Sequence, residues 1–170
     1  MAKWGKADYK AMKAFRERLE KMQSENAAAF CEACAKELAA RLLALVIKRT
    51  PVGDYPSGEG KVGGTLRRGW TAGKNMSAYT YAQSLKVERR GNDYVIEIIN
   101  PVEYASYVEF GHRQTPGRYV PAIGKRLKRA FVPGKHMMTQ SIAELEGIAP
   151  GVLQKKLERY LSEVVSGGGD

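Results

Sequence analysis

One apolar stripe runs through the first third of the chain and constrains the fold more than any other feature. Met12, Phe15, Leu19 and Met22 recur at three- and four-residue steps, and Cys31, Cys34, Leu38, Leu42 and Leu45 continue the same period. Charged residues fill the other face, so residues 8–49 predict a long amphipathic helix, with a break near residues 24–26. Thr50-Pro51 ends it, because the residue before proline avoids helical angles.

The stretch after the helix changes character. Residues 51–77, "PVGDYPSGEGKVGGTLRRGWTAGKNMS", are rich in Gly, Pro, Ser and Lys and predict a long, exposed, mobile loop. "YTYAQSLKVER" and "NDYVIEII" then carry strand signals around the turn "RRGND", which predicts a β-hairpin over residues 79–99. Asn100-Pro101 predicts the opening of a short helix through Phe110. Residues 112–134 predict a second long loop, basic and rich in proline and glycine. Two helices over residues 136–146 and 150–165 close the chain, separated at Gly147 and Pro150. The expected fold class is therefore α+β, in one domain over residues 1–166 with a frayed tail at 167–170.

The chain has 170 residues, enough for one domain with a real core. Its formal charge is +10 with a pI near 9.6, which favours acidic partners without selecting a fold. No apolar run reaches the length of a membrane span, and the basic N-terminus lacks the apolar centre of a signal peptide. Two cysteines are too few for a disulfide scaffold and point to a reducing compartment during synthesis.

Catalytic chemistry finds little support. The only histidines are His112 and His136, no nucleophile elbow is visible, and no glycine-rich phosphate loop follows a strand. Glu103 and Glu109 stand six residues apart, a spacing that does not place two carboxylates side by side on one helix. Cys31 and Cys34 could join the histidines in a zinc site, but both fall on the apolar stripe, where cysteine acts as a small hydrophobe. The chain is thus expected to be no enzyme and to hold no metal or cofactor.

Charge gives the strongest lead. From Phe110 to Ala143 there is no Asp or Glu, while Arg113, Arg118, Lys125, Arg126, Lys128, Arg129 and Lys135 all lie there. Such a patch suits an acidic protein surface, the favoured reading, or the phosphates of nucleic acid, the alternative. Arg67 and Arg68 add to it from the first loop.

Three segments carry a family resemblance. "GGTLRRGW" (63–70), "NPVEYASYVEFGHR" (100–113) and "FVPGKHMMTQSI" (131–142) together resemble the neck, or tail-component, proteins of long-tailed phages. The order of parts over residues 8–146 is similar too: N-terminal helix, Gly-Thr-Leu-Arg segment, hairpin, Tyr-Ala-x-x-Val-Glu-Phe-Gly signature, closing helix. One departure is the long basic stretch between Arg113 and Pro133, which is similar to the version in PBSX-like defective prophages and contractile phage-tail-like particles.

The resemblance implies a virion protein assembled in the bacterial host cytoplasm. It implies a homo-oligomeric ring of six or twelve copies that joins or completes the tail at its head-proximal end. Adjacent neck, tail-terminator or head-closure proteins would be its neighbours, with passive DNA contact in the channel. Arg67, Arg68, Arg113, Arg118, Lys125, Arg126, Lys128 and Arg129 then form the expected partner interface. Tyr104, Ala105, Val108 and Phe110 are expected to pack the short helix onto the hairpin. Glu109 caps a backbone group or bridges Arg67 or Arg68, and Gly111 frees the turn into the basic loop.

Overall fold

The computed structural model describes residues 24–53, 63–121 and 124–166. The predicted helix over residues 8–23 and the frayed tail at 167–170 lie outside them. Helix α1 spans Ser24–Arg49. Its alanines and leucines are strong helix formers, and Glu32–Lys36 and Glu37–Arg41 pair one turn apart on its outer face. Lys48 and Arg49 place positive charge at its C-terminal end, where the backbone dipole favours it.

The predicted loop 51–77 is corrected over its described second half. Thr65–Gly69 forms a short helix, α2, and Leu66 and Trp70 are buried. Residues 54–62 of that loop lie outside the described residues. The predicted hairpin over 79–99 is corrected too. Ala78–Ser84 is helix α3, capped by Ser77, whose hydroxyl accepts the Thr80 N–H at 3.0 Å. Ala78, Tyr81, Ala82 and Leu85 pack on the core at helical spacing. The partial alternation of "YTYAQSL" mimics a strand, and the core-facing stripe overrides it.

The hairpin itself is shorter. β1 (Glu88–Arg90) and β2 (Asp93–Val95) pair antiparallel, with Gly91 left-handed in the turn. Helix α4 is Ala105–Phe110, five residues later than predicted from Asn100-Pro101. Asn100 is the reason: its Oδ1 accepts the Val102 N–H at 3.2 Å and turns the chain before a helix can start.

The predicted second loop is also corrected. β3 (Gly111–Arg113), β4 (Tyr119–Val120), β5 (Lys125–Arg126) and β6 (Phe131–Pro133) make one two-stranded arm. β3 pairs with β6, and β4 with β5, all antiparallel.

The two expected C-terminal helices are one helix, α5, Met137–Ser166, which runs through Pro150. Proline removes the N–H that would bond the carbonyl of Glu146. Glu146, Gly147, Pro150 and Gly151 all face outward, so that carbonyl meets water, while Ala149 and Leu153 hold the inner face in the core.

α1 packs mainly on α3 and α5 and carries two adjoining clusters. One gathers Leu43, Val46, Leu66, Trp70, Ala82, Ala105 and Met137. The other joins Phe30, Cys31, Cys34 and Leu38 to Leu145, Ala149 and Leu153, and Phe30 stacks on Tyr160 at 4.8 Å.

Cys31 and Cys34 are buried and form no disulfide. Burial pushes the Cys34 thiol from its ordinary 9.0 up to about 12. The thiolate is the reactive form. Native protein at pH 8 is therefore expected to leave Cys34 unmodified by a thiol reagent until it unfolds, as counted by mass spectrometry. The raised value also sets a sign. Stability from this group is complete below pH 9, where the unfolded thiol stays protonated. It declines as the pH rises from 9 towards about 12, where the unfolded thiol ionises and the buried one does not. Rapid native labelling of Cys34 would contradict both expectations.

Candidate docking surfaces: a clasped body and a basic arm

Three polar locks hold the body. The first sits where α1 ends. Thr50 is 1% exposed, its hydroxyl donates to the Val46 carbonyl at 2.6 Å, and it accepts Trp70 Nε1–H at 2.7 Å. Arg67 donates to the Thr50 carbonyl from Nε at 3.1 Å and Nη2 at 2.7 Å. A carbonyl left over at a helix end is thereby satisfied.

The second lock ties α2 to the chain before α4. Buried Asn100 donates from Nδ2 to the Leu66 carbonyl at 2.8 Å. A Cβ on Gly69 would sit 2.2 Å from Asn100 Oδ1, so only glycine admits the amide this close.

Glu109 makes the third. It is fully buried, a position carboxylates rarely take without partners. Its Oε2 accepts the Met138 N–H at 2.9 Å, and its Oε1 accepts the Thr139 N–H at 2.9 Å and the Thr139 hydroxyl at 2.7 Å. Those amides open the first turn of α5, where exposed N–H groups and the helix dipole both favour an anion. Lys135 N–H to Val108 O at 2.7 Å and His136 N–H to Glu109 O at 3.0 Å bring the same two segments together. Of the two expected roles for Glu109, the structure gives it the backbone cap. The arginine bridge is corrected: Arg67 is held by Thr50, and Arg68 donates to the Gly63 carbonyl at 3.0 Å.

The clasp leaves an aromatic ridge outside. Ala105 is buried and Val108 half-buried, both against the core. Tyr104, Tyr107 and Phe110 are 45%, 59% and 58% exposed, which corrects the expected inward packing of Tyr104 and Phe110. Three-residue steps align them along one side of α4. Tyr107 also meets the ring of His112 at 5.6 Å. Gly111 turns the chain into the arm at φ +82°, and a Cβ there would lie 2.4 Å from the Val132 carbonyl.

The expected interface residues separate into two groups. Arg67 is a strut of the body, half-buried, and Arg68 braces the turn before α2. Arg113, Arg118, Lys125, Arg126, Lys128 and Arg129 all lie exposed on the arm, and of these Arg126 donates to the Gly117 carbonyl at 2.8 Å. Trp70 and Thr139 belong to the locks without any local sequence signal, and Thr50 and Asn100, which the sequence marks only as element boundaries, belong to them too. No group of three or more His, Cys, Asp or Glu among the described residues is placed to hold a metal ion. Among the described residues, no helix is long and apolar enough to cross a membrane.

No curated protein and no solved structure matches the chain. A family model described as "Bacteriophage HK97-gp10, putative tail-component" matches residues 13–111, more than half of the 170 residues. The span takes in α1 to α4, with the first two locks and the Glu109 carboxylate, and it stops at Gly111, where the arm begins. The chain therefore belongs to the HK97 gp10-like family and is a structural tail component of a phage virion.

Proposed function

We propose that copies of this chain form a ring at the head-proximal end of the tail, six or twelve in number, which joins the tail to the head or completes it. Neighbouring copies in such a ring meet through two different surfaces related by rotation. Adjacent neck, tail-terminator or head-closure proteins contact the ring, and assembly takes place in the host cytoplasm.

The observation that carries this reading is the aromatic ridge of α4 standing beside a basic arm. Tyr104, Tyr107 and Phe110 leave about half of each side chain in water, and Phe131 on β6 is 50% exposed. Single exposed aromatics are ordinary; a row of them marks a contact surface. Burying one such side chain contributes about 1.5–3 kcal/mol. The arm supplies the complementary requirement, a partner of opposite charge.

A test removes the ridge without touching the core. Tyr107→Ser with Phe110→Ser is expected to leave the thermal unfolding of the subunit within a few degrees of wild type. Electron microscopy of lysates should then show tails that are unjoined or unfinished at one end, with complete particles reduced at least tenfold. Native mass spectrometry of the wild-type protein gives the copy number. Normal numbers of complete particles from the double variant would reject the assembly role of the ridge.

A further inference from the structure

We propose that the arm binds duplex DNA, lying as a two-stranded ribbon along a groove and gripping phosphates on both sides. This rests on the reading of the chain as a ring through which the genome passes.

Two antiparallel ladders make the ribbon, joined through a turn at residues 115–118. Gly111 pairs with Pro133, His112 with Val132 and Arg113 with Phe131, and Gln114 N–H reaches the Ala130 carbonyl at 2.9 Å. Beyond Gly117 the register slips by one residue, to Tyr119 opposite Arg126 and Val120 opposite Lys125. Gly117, at φ +82°, occupies this bulge, and Arg126 is tied to its carbonyl.

Charge covers both faces of it. Residues paired across the strands share a face, and consecutive residues point to opposite faces. Lys125 with Val120 therefore looks one way, and Arg126 with Tyr119 looks the other. Arg113, Arg118, Lys128 and Arg129 add to this, and no carboxylate occurs between Phe110 and Ala143. A flat acidic protein surface meets one face of a ribbon and leaves the other unneutralised. A DNA groove has a phosphate wall on each side, and the major groove, about 12 Å wide, admits a two-stranded ribbon.

A second copy of the chain is a poor source of the missing negative charge. Glu32, Glu37, Glu88 and Glu144 are already paired with Lys36, Arg41, Arg90 and Arg49, and Glu109 is consumed in its clasp, which leaves Asp93, Glu97, Glu103 and Glu146 as exposed carboxylates dispersed among a larger number of cations. The chain as a whole carries +10. Base readout has little to work with. Gln114 is the one amide side chain between Gly111 and Pro133, and it sits at the arm's base, so the contacts are assigned mainly to phosphates and the arginines are the groups left to read guanine.

The experiment is fluorescence anisotropy of a labelled duplex of arbitrary sequence, titrated with the intact protein at increasing salt. Arg113, Arg118, Lys125, Lys128 and Arg129 are the arm cations other than Arg126, which the bulge engages. Five phosphate contacts give a slope of log K against log salt of about −4 to −5, and a loss of several hundredfold between 50 and 200 mM. Replacing Arg118, Lys125, Lys128 and Arg129 by glutamine is expected to flatten the slope to roughly −1. These residues are exposed, so melting by circular dichroism should not change. The control replaces four exposed cations of the body, Lys48, Lys86, Lys155 and Arg159, by glutamine and alters net charge equally. It should retain the steep slope.

Equal loss in the two quadruple variants would overturn the proposal, as would no duplex binding at 50 mM salt. Particle counts separate the two readings. An arm variant that leaves tails unjoined while the wild type binds no duplex assigns the arm to an acidic virion protein; DNA binding then falls and the joining role stands. Complete particles in normal numbers from both the arm variant and the ridge variant would remove the joining role itself.

Discussion

Trp70→Ala is expected to lower the stability of the subunit by about 4 kcal/mol. Trp70 is fully buried among α1, α2 and α3, and truncating a core tryptophan typically costs about 3–5 kcal/mol through lost burial and the cavity left behind. The variant also deprives a polar group of a partner. Thr50 Oγ1 keeps its bond to the Val46 carbonyl but loses the indole donor at 2.7 Å, at a site buried in the wild type. Urea denaturation followed by circular dichroism measures the change. Trp70→Phe separates its causes, since it keeps most of the volume and forfeits only the hydrogen bond, at about 1–2 kcal/mol. A Trp70→Ala protein within 1 kcal/mol of wild type would mean that α2 is not anchored to the end of α1 in solution.

Trp70 also shows where sequence reading runs out. It stands in "GKVGGTLRRGWTAGK", among glycines and cations that signal a loop, and its one large apolar partner at helical spacing, Leu66, is too little to outweigh them. Its burial comes from Leu43 in α1 and Thr50 just beyond it, contacts that no local pattern encodes. α1 itself was legible, because its stripe repeats over many turns and Thr50-Pro51 marks its end. The α+β class followed from that helix and the turn at Gly91. The arm was not legible. Pro116, Gly117, Pro121, Gly124 and Pro133 punctuate it as a loop would, and its half-buried residues, His112, Gln114, Val120, Leu127 and Val132, are too few and too widely spaced to display an apolar alternation. α5 was read as two helices because proline is a strong local stop. Tertiary packing of Ala149 and Leu153 outweighs one missing hydrogen bond on a wet face. Of the charged residues expected at an interface, Arg67 has a role in the body for a related reason: sequence shows a cation, and only the fold shows the Thr50 carbonyl that takes its hydrogen bonds.

The same limit applied to Glu109, and its removal is the second large effect. Glu109→Ala is expected to cost about 3 kcal/mol. Three donors lose their acceptor at once: the amides of Met138 and Thr139 and the Thr139 hydroxyl. The Met138 bond is fully buried, so water cannot readily replace the carboxylate. Loss of a helix N-cap alone is worth about 0.5–2 kcal/mol, and here a full negative charge at the head of a 30-residue helix goes with it. Glu109→Gln keeps one acceptor oxygen and the packing, and should cost roughly half as much. The consequence reaches the arm, because both its strands leave from this clasp. β3 starts at Gly111, two residues after Glu109, and β6 ends at Pro133 beside Gly134, where a Cβ would lie 2.1 Å from the Glu109 carbonyl. Hydrogen exchange in Glu109→Ala should therefore rise at Gly111–Arg113, Phe131–Pro133 and the first turn of α5, with the core of α1 unchanged under native conditions. Melting and exchange indistinguishable from wild type would show that the carboxylate does not hold the arm to the body.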